Sequence, residues 1–309
     1  MKKLFLIIGL VAIAFLSKAQ QLPLYSQYMM NGFLLNPAIA GSVDYTPVRI
    51  TARSQWTGLN NYSEGYNASP MTGAVSGHTR LSNGKMGAGG YIFYDNFGPI
   101  SKTGIQASYA YHLDFPELNA KLGMGLSISA FQYKLDETDL GLLDENDAAI
   151  TYSVESSFIP DANFGLYFYS PTYYAGLAIN QLIELDAGIE GANKNPMVRH
   201  YFLTGGYKFV LNDKFDLEPS VLLKGTEMES PFQLDFNLKT YFMKNYWLGL
   251  SYRTGNAMVC ILGVKYDMYY LGYAFDYSFS TIKNYSSGSH EIMLGVNFGE
   301  DKMKGSTLL

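Results

Sequence analysis

Cysteine is almost absent: Cys260 is the only one in 309 residues. One thiol cannot form an intramolecular disulfide, so the fold rests on packing and hydrogen bonds. Its surroundings, "AMVCILGV", are apolar, which fits a passive buried or lipid-facing thiol. Charge is also scarce, at 16% of residues. The four histidines, His78, His112, His200 and His290, are scattered and have no His or Cys partner at metal-ligand spacing. Single strand histidines of this kind serve as hydrogen-bonding groups facing an interior. No G-x-S-x-G elbow occurs, and "GKMGAGG" at 84–90 lacks the helix that a phosphate loop needs. The absence of a catalytic constellation argues against an enzyme, and no cofactor or metal is expected. Beyond the N-terminus no run is long and apolar enough for a membrane helix.

The N-terminus reads as a secretory leader. Lys2 and Lys3 precede the apolar run Leu4–Leu16, and Ser17-Lys18-Ala19 ends it with small residues at the positions a peptidase reads. Residues 1–19 are expected to be removed. Taking Lys2, Lys3 and Lys18 from 22 basic residues leaves 19 against 27 acidic ones, a formal charge of −8. A nucleic-acid partner is therefore not expected.

What the sequence does have is Tyr, with 26 residues, Phe, with 19, and Gly, with 31. These fall into period-two runs. In "MYYLGYAFDYSF", Tyr269, Leu271, Tyr273, Phe275, Tyr277 and Phe279 oppose Tyr270, Gly272, Ala274, Asp276 and Ser278. In "FQLDFNLKTYF", Phe232, Leu234, Phe236, Leu238 and Phe242 oppose Gln233, Asp235, Asn237 and Lys239. In "HEIMLGVNF", Ile292, Leu294, Val296 and Phe298 oppose Glu291, Met293, Gly295 and Asn297. Runs of about ten residues, apolar on one face and small or polar on the other, suit a transmembrane antiparallel β-barrel. About fourteen strands are expected, at 47–56, 69–80, 85–95, 101–113, 120–133, 161–170, 172–182, 198–209, 214–225, 230–242, 245–254, 256–266, 268–279 and 288–299. Long connections (57–68, 134–160, 183–197, 280–287) share one parity, as when periplasmic turns are short and outer loops long. A secreted β-sandwich would alternate too, but with polar outward faces. The glycines of "GKMGAGG" at 84–90 are expected to let the strand bend and coil.

The chain divides into the leader 1–19, a segment at 20–46, a barrel at 47–299 embedded in outer-membrane lipid, and a periplasmic tail at 300–309. The segment "QQLPLYSQYMMNGFLLNPAIAGS" neither alternates nor shows a polar helical face. Its apolar side chains argue against a free tail. It is expected to plug the lumen, with Asn36-Pro37 making a turn, or to lie on a periplasmic partner, with its N-terminus on the periplasmic side. The acids of the 134–160 loop include Asp136, Asp139, Asp144 and Asp147. They form a weak calcium candidate without EF-hand order.

Four segments carry a resemblance. "YSQYMMNGFLLNPAIAGS" at 25–42, "ARSQWTG" at 52–58, "GKMGAGGYIFYDNFGPIS" at 84–101 and "ASYAYHL" at 107–113 resemble the PorP/SprF family of type IX secretion proteins in Bacteroidetes. The carrying residues are Ser26, Gln27, Tyr28, Asn36, Pro37, Ala38 and Gly41, then Arg53, Gln55, Trp56 and Gly58. Between Trp56 and Pro70-Met71-Thr72 stands the insert "LNNYSEGYNAS", so the first outer loop is extended. The resemblance implies an outer-membrane, non-catalytic component that binds and anchors secreted cell-surface proteins, such as gliding adhesins, by a C-terminal signal domain, with other secretion components as partners. The alternative is an outer-membrane porin or transporter for small or hydrophobic molecules, whose lumen Asp235, Lys239, Glu291 and Asn297 would line.

Overall fold

The computed structural model describes residues 22–59, 69–81, 84–138, 153–186, 197–226, 232–255 and 257–300. They form one closed antiparallel barrel of fourteen staves. In chain order these are β1 (Thr46–Ser54), β2 (Met71–Arg80), β3 (Met86–Phe97), β4 (Ile100–Phe115), β5 (Ala120–Asp136), β6 (Val154–Tyr169) and β7 (Tyr173–Asn180). Then come β8 (His200–Tyr207), β9 (Phe215–Gly225), β10 (Gln233–Phe242), β11 (Tyr246–Arg253), β12 (Ala257–Tyr266), β13 (Tyr269–Ser278) and β14 (Ser289–Phe298). Phe209–Val210 continues β8 in unbroken register, Gly206 facing Ser220 and Phe209 facing Leu217. The gap lies opposite Glu218 and Pro219; proline has no N–H to give to a ladder. The cylinder closes where β1 pairs β14, from Thr46 against Phe298 to Ser54 against His290. In hydrocarbon such closure is what leaves no backbone edge unpaired.

The strands sit within a few residues of the sequence expectation except at one hairpin. β5 runs on to Asp136 and β6 begins at Val154, so the expected 134–160 connection shrinks to 137–153. Pro160 reads as a breaker, yet it pairs with Ala130 inside β6. It is tolerated because β7 is laddered to β6 only over Phe164–Tyr169, leaving Pro160 beyond that ladder.

Lipid and lumen faces alternate as the pattern requires. Ile105, Leu126, Ile128, Leu203, Leu262 and Ile292 are all at least half exposed on the outside. Aromatics ring both rims: Tyr207, Phe215, Tyr246, Tyr266 and Tyr269 at one, Tyr94, Tyr252, Tyr277 and Phe279 at the other. That double girdle marks the two membrane interfaces. Cys260 lies on the outer face, half buried. Three histidines face inward and are buried. His290 departs from the expectation: it lies on the outer face, its Nδ1 2.6 Å from the Tyr273 hydroxyl and its ring against Phe275.

The two ends differ. Thr46 and Phe298 lie at the end with short connections (81–85, 116–119, 170–172, 211–214, 243–245 and 267–268), called here the terminal mouth. The other, the loop mouth, carries 55–70, 137–153, 181–199 and 279–288.

A lipid-face substitution tests the embedding. Leu262→Arg, near the middle of β12, should cost about 2–4 kcal/mol of folding stability in lipid vesicles, whereas Tyr266→Arg at the rim should cost about 0–1. Denaturant titration into vesicles reads both. Equal small losses would argue against a bilayer around β12.

Candidate functional site

Residues 22–45 are inside the cylinder. Three consecutive 3-10 turns, Tyr28–Met30, Gly32–Leu34 and Pro37–Ile39, build the segment. Such turns come in short pieces without an amphipathic period, which is why neither a strand nor a helix pattern showed. Pro37 opens the third turn, and Asn36 caps it by accepting the Ala38 N–H at 2.9 Å. Met29, Met30, Phe33, Leu34 and Ile39 are all buried. Removing such a side chain from water is worth about 1.5–3 kcal/mol. They meet inward side chains of the wall: Tyr28, Met29 and Met30 pack with Phe202, Trp247, Ile261 and Tyr270, and Phe33 and Ile39 with Ala110 and Tyr167. The segment thus supplies the core that the wall alone lacks.

Near the loop mouth the segment is held by charge. The backbone N–H groups of Ser26 and Gln27 donate to the two carboxylate oxygens of Glu291 at 2.7 and 2.9 Å. The Ser26 hydroxyl donates to Asp276 Oδ2 at 2.7 Å and accepts from Arg53 at 2.7 Å. Arg53 pairs with Asp276 at 2.8 Å and lies 3.5 Å from Glu291. Arg253 extends the network from Asp276, at 3.6 Å, to Asp235, at 3.4 Å. The Tyr28 hydroxyl lies 3.1 Å from Asn237 and 3.3 Å from Asp235. One turn further, Lys239 pairs with Glu218 at 2.9 Å and donates to the Met29 carbonyl at 3.1 Å. Buried ion pairs add little net stability, because desolvation offsets the attraction; breaking one strands a buried charge. Here they fix position: Ser26 has one place along the wall.

Near the terminal mouth the segment is held by shape. A Cβ on Gly125 would stand 2.3 Å from the Ala38 nitrogen, one on Gly165 2.0 Å from the Asn36 side-chain oxygen, and one on Gly87 2.0 Å from the Ala40 carbonyl. These strand glycines are therefore needed for close approach of a second backbone. At Gly87 this close approach stands beside the bending and coiling expected of the glycines in 84–90. Gly41 takes φ +74° beside Gly87, where a side chain would be both strained and without room. Asn36 Nδ2 donates to the Leu166 carbonyl at 2.9 Å and lies 3.3 Å from that of Leu177. Gly41 N–H donates to His78 Nδ1 at 3.2 Å, His112 Nε2 donates to the Ala40 carbonyl at 2.8 Å, and Arg80 donates to the carbonyls of Gly41 and Ser42.

Of the residues singled out by sequence, Ser26, Gln27, Tyr28 and Arg53 meet in the charged network, and Asn36, Pro37, Ala38 and Gly41 in the glycine cradle. Gln55, Trp56 and Gly58 do not join them. Gln55 N–H donates to the Pro70 carbonyl. Trp56, at φ 51°, donates its N–H to Ser289 at 3.0 Å and accepts from Ser69. Gly58 lies against 285–287. These three order the rim. Asp276, Arg253, Glu218 and the cradle glycines were not singled out as site residues. Their signal was present: acids and an arginine on lumen faces, where an unpaired charge would be costly. Asp136 is paired with Lys134 at 2.8 Å and with Thr138. Asp139, Asp144 and Asp147 lie outside the described residues. Among the described residues no three His, Cys, Asp or Glu side chains are grouped to hold a metal.

Two cavities flank the segment inside the barrel, of about 40 and 60 Å³. They have room for a few waters and fall far below a ligand pocket of about 300 Å³. A larger recess of about 470 Å³ opens at the loop mouth, bounded by Leu22, Pro23, Gln55, Trp56, Phe97 and Arg253 among others.

The family model of the type IX secretion system membrane protein PorP/SprF matches residues 17–296. The chain belongs to the PorP/SprF family. As a PorP/SprF protein with a closed fourteen-stave barrel it is an integral outer-membrane protein of type IX secretion, a family that works with other components of that system. No curated protein matches the chain. In fold it is similar to the Ralstonia pickettii toluene transporter TbuX, at 12% identity and TM-score 0.51, covering 88% of this chain and 93% of that one. It is similar to a Pseudomonas aeruginosa FadL homologue at 10% identity and TM-score 0.50, covering 90% and 94%. The CymD monoaromatic hydrocarbon channel matches at 13% identity and TM-score 0.50, covering 91% and 94%.

Both anchoring modes can be broken separately. Glu291→Gln removes the charge that faces Arg53 and two backbone N–H groups, and should cost about 3–5 kcal/mol as a broken buried pair. In the double variant with Arg53→Met the loss should be smaller than the sum of the single losses; strict additivity would mean the two do not interact. Gly125→Val should leave a heat-modifiable barrel on gels while exposing 25–40 to protease. A fully protected segment in that variant would show that the Gly125 contact does not hold it.

Proposed function

We propose that this PorP/SprF protein is a non-catalytic anchor that receives secreted cell-surface proteins, gliding adhesins among them, by their C-terminal signal domains. Residues 22–45 act as a plug, so the barrel is a fixed support rather than a conduit. The observation that carries this reading is the packing of the segment against the lumen wall: it is pinned by charge near one mouth and by glycine contacts near the other, and the two cavities that flank it between the mouths hold about 40 and 60 Å³. A barrel that does not conduct works through its rims, and connections on a rigid scaffold are natural recognition surfaces. We assign cargo contact to the loop mouth, to segments 57–68, 137–153 (the part of the expected 134–160 loop that lies between strands) and 183–197, the first of them springing from Trp56. The acidic balance of the chain favours a basic patch on the cargo. The terminal mouth is left for the periplasmic parts of the machinery.

The second reading is a transporter of hydrophobic molecules. It is favoured by the fold likeness to the toluene transporter and the hydrocarbon channel and by the recess of about 470 Å³ at the loop mouth. Transport would require the plug to move.

Two measurements separate the readings. In planar bilayers the purified protein should be insulating, and pull-down from native membranes should recover a secreted protein with a C-terminal signal domain. A large, steady single-channel current would favour the transporter. Recovery of no cargo, with one known to be expressed, would overturn the anchor.

A further inference from the structure

We infer that the chain crosses the lumen from mouth to mouth, so that the N-terminal stretch Leu22–Leu24 is displayed among the long connections, across the membrane from the C-terminal end of the barrel. The segment's contacts descend in order. Ser26 meets Arg53, next to last in β1, and Glu291, third in β14; both positions are at the loop mouth. Asn31 meets Ser76, in mid-strand of β2, at 2.9 Å. Ala38 and Ala40 meet Gly125 and Gly87, close to the terminal mouth. Thr46 then begins β1 at that mouth. Above Ser26 the chain continues in the same sense: Leu22, Pro23 and Leu24 share the recess with Trp56 and with Ser280, which lies in the connection between β13 and β14.

The sequence expectation set the start of this segment on the periplasmic side, beside the barrel's own ends. The contacts put Leu22 at the opposite end. Cleavage after Ala19, the position the leader pattern marks, would leave two residues ahead of Leu22, a reach of about 7 Å at roughly 3.3–3.6 Å per residue. Two residues cannot return through a filled lumen about as deep as the bilayer core, roughly 30 Å. Leu22, Pro23 and Leu24 therefore form part of the floor that a partner at the loop mouth meets. This holds whether that partner is a secreted protein or the barrel is a transporter, so it stands apart from the anchoring reading.

Accessibility to a membrane-impermeant thiol reagent tests it. In cells making the full protein with Cys260→Ser, single cysteines are placed as Leu22→Cys, Asn284→Cys in the β13–β14 connection, and Glu117→Cys in a terminal-mouth turn. A negatively charged methanethiosulfonate is added to intact cells or to cells with an opened outer membrane, and unreacted thiols are read by a mass tag. Leu22→Cys should be blocked in intact cells together with Asn284→Cys, while Glu117→Cys is blocked only after opening. Gln21→Cys is a second probe should Leu22→Cys reduce the yield of heat-modifiable barrel. Blocking of the N-terminal probes only alongside Glu117→Cys, or under neither condition, would overturn the inference.

Discussion

The constraint on which everything else depends is that hydrocarbon offers a backbone no hydrogen bonds. Each stave must pair on both sides, and the sheet must close. Closure of fourteen staves between β1 and β14 creates a second problem. A barrel of about eight strands is filled by its own side chains, while 16–18 strands leave an aqueous channel. Fourteen is between these. The interior carries large apolar side chains as well as charge, including Phe202, Trp247, Ile261 and Tyr270. Those side chains need an apolar partner, and Tyr28, Met29 and Met30 provide it. The same protein thus has two solvents: lipid outside, and its own N-terminal segment inside.

The two means of holding the segment follow from where they act. Near the loop mouth the wall has full side chains, and the segment is read through charges and backbone N–H groups. Near the terminal mouth the wall is stripped to glycine, and backbone rides on backbone. Charge gives Ser26 an address but little net energy; the glycine cradle with its buried apolar neighbours supplies contact area and dispersion. The 3-10 turns suit both tasks, because a compact, irregular rod presents different groups at every step.

How legible this was differs by level. The staves followed from strict alternation in runs such as "MYYLGYAFDYSF", since a one-residue slip would turn Asp276 toward lipid. The β5–β6 hairpin was less legible because Pro160 signals a break, and only knowledge of its neighbours reveals a position free of the ladder. Ser26, Asn36 and Gly41 stood out through resemblance. Their partners Asp276, Glu291, Gly125 and Gly165 lie far along the chain, and spacing along a sequence does not say which strands will face one point in space. Glycines were the most ambiguous. "GMG" at 123–125 permits a bend or a close approach equally, and the second backbone that decides between them is more than eighty residues upstream.

The join between Ser26 and Glu291 spans 265 residues of sequence. Contacts of such separation form late, because the loop they close must first be collected. During synthesis and export the segment emerges first and its final partner last. Its one covalent tie to the wall is at Thr46, and the site that holds its Ser26 end is complete only when Arg53 and Glu291 lie side by side across the β1–β14 seam. The N-terminal segment and the closing seam are therefore coupled: each completes the other. At the β1–β14 seam Arg53 and Glu291 meet at Ser26, so the first and last staves and the segment share one joint.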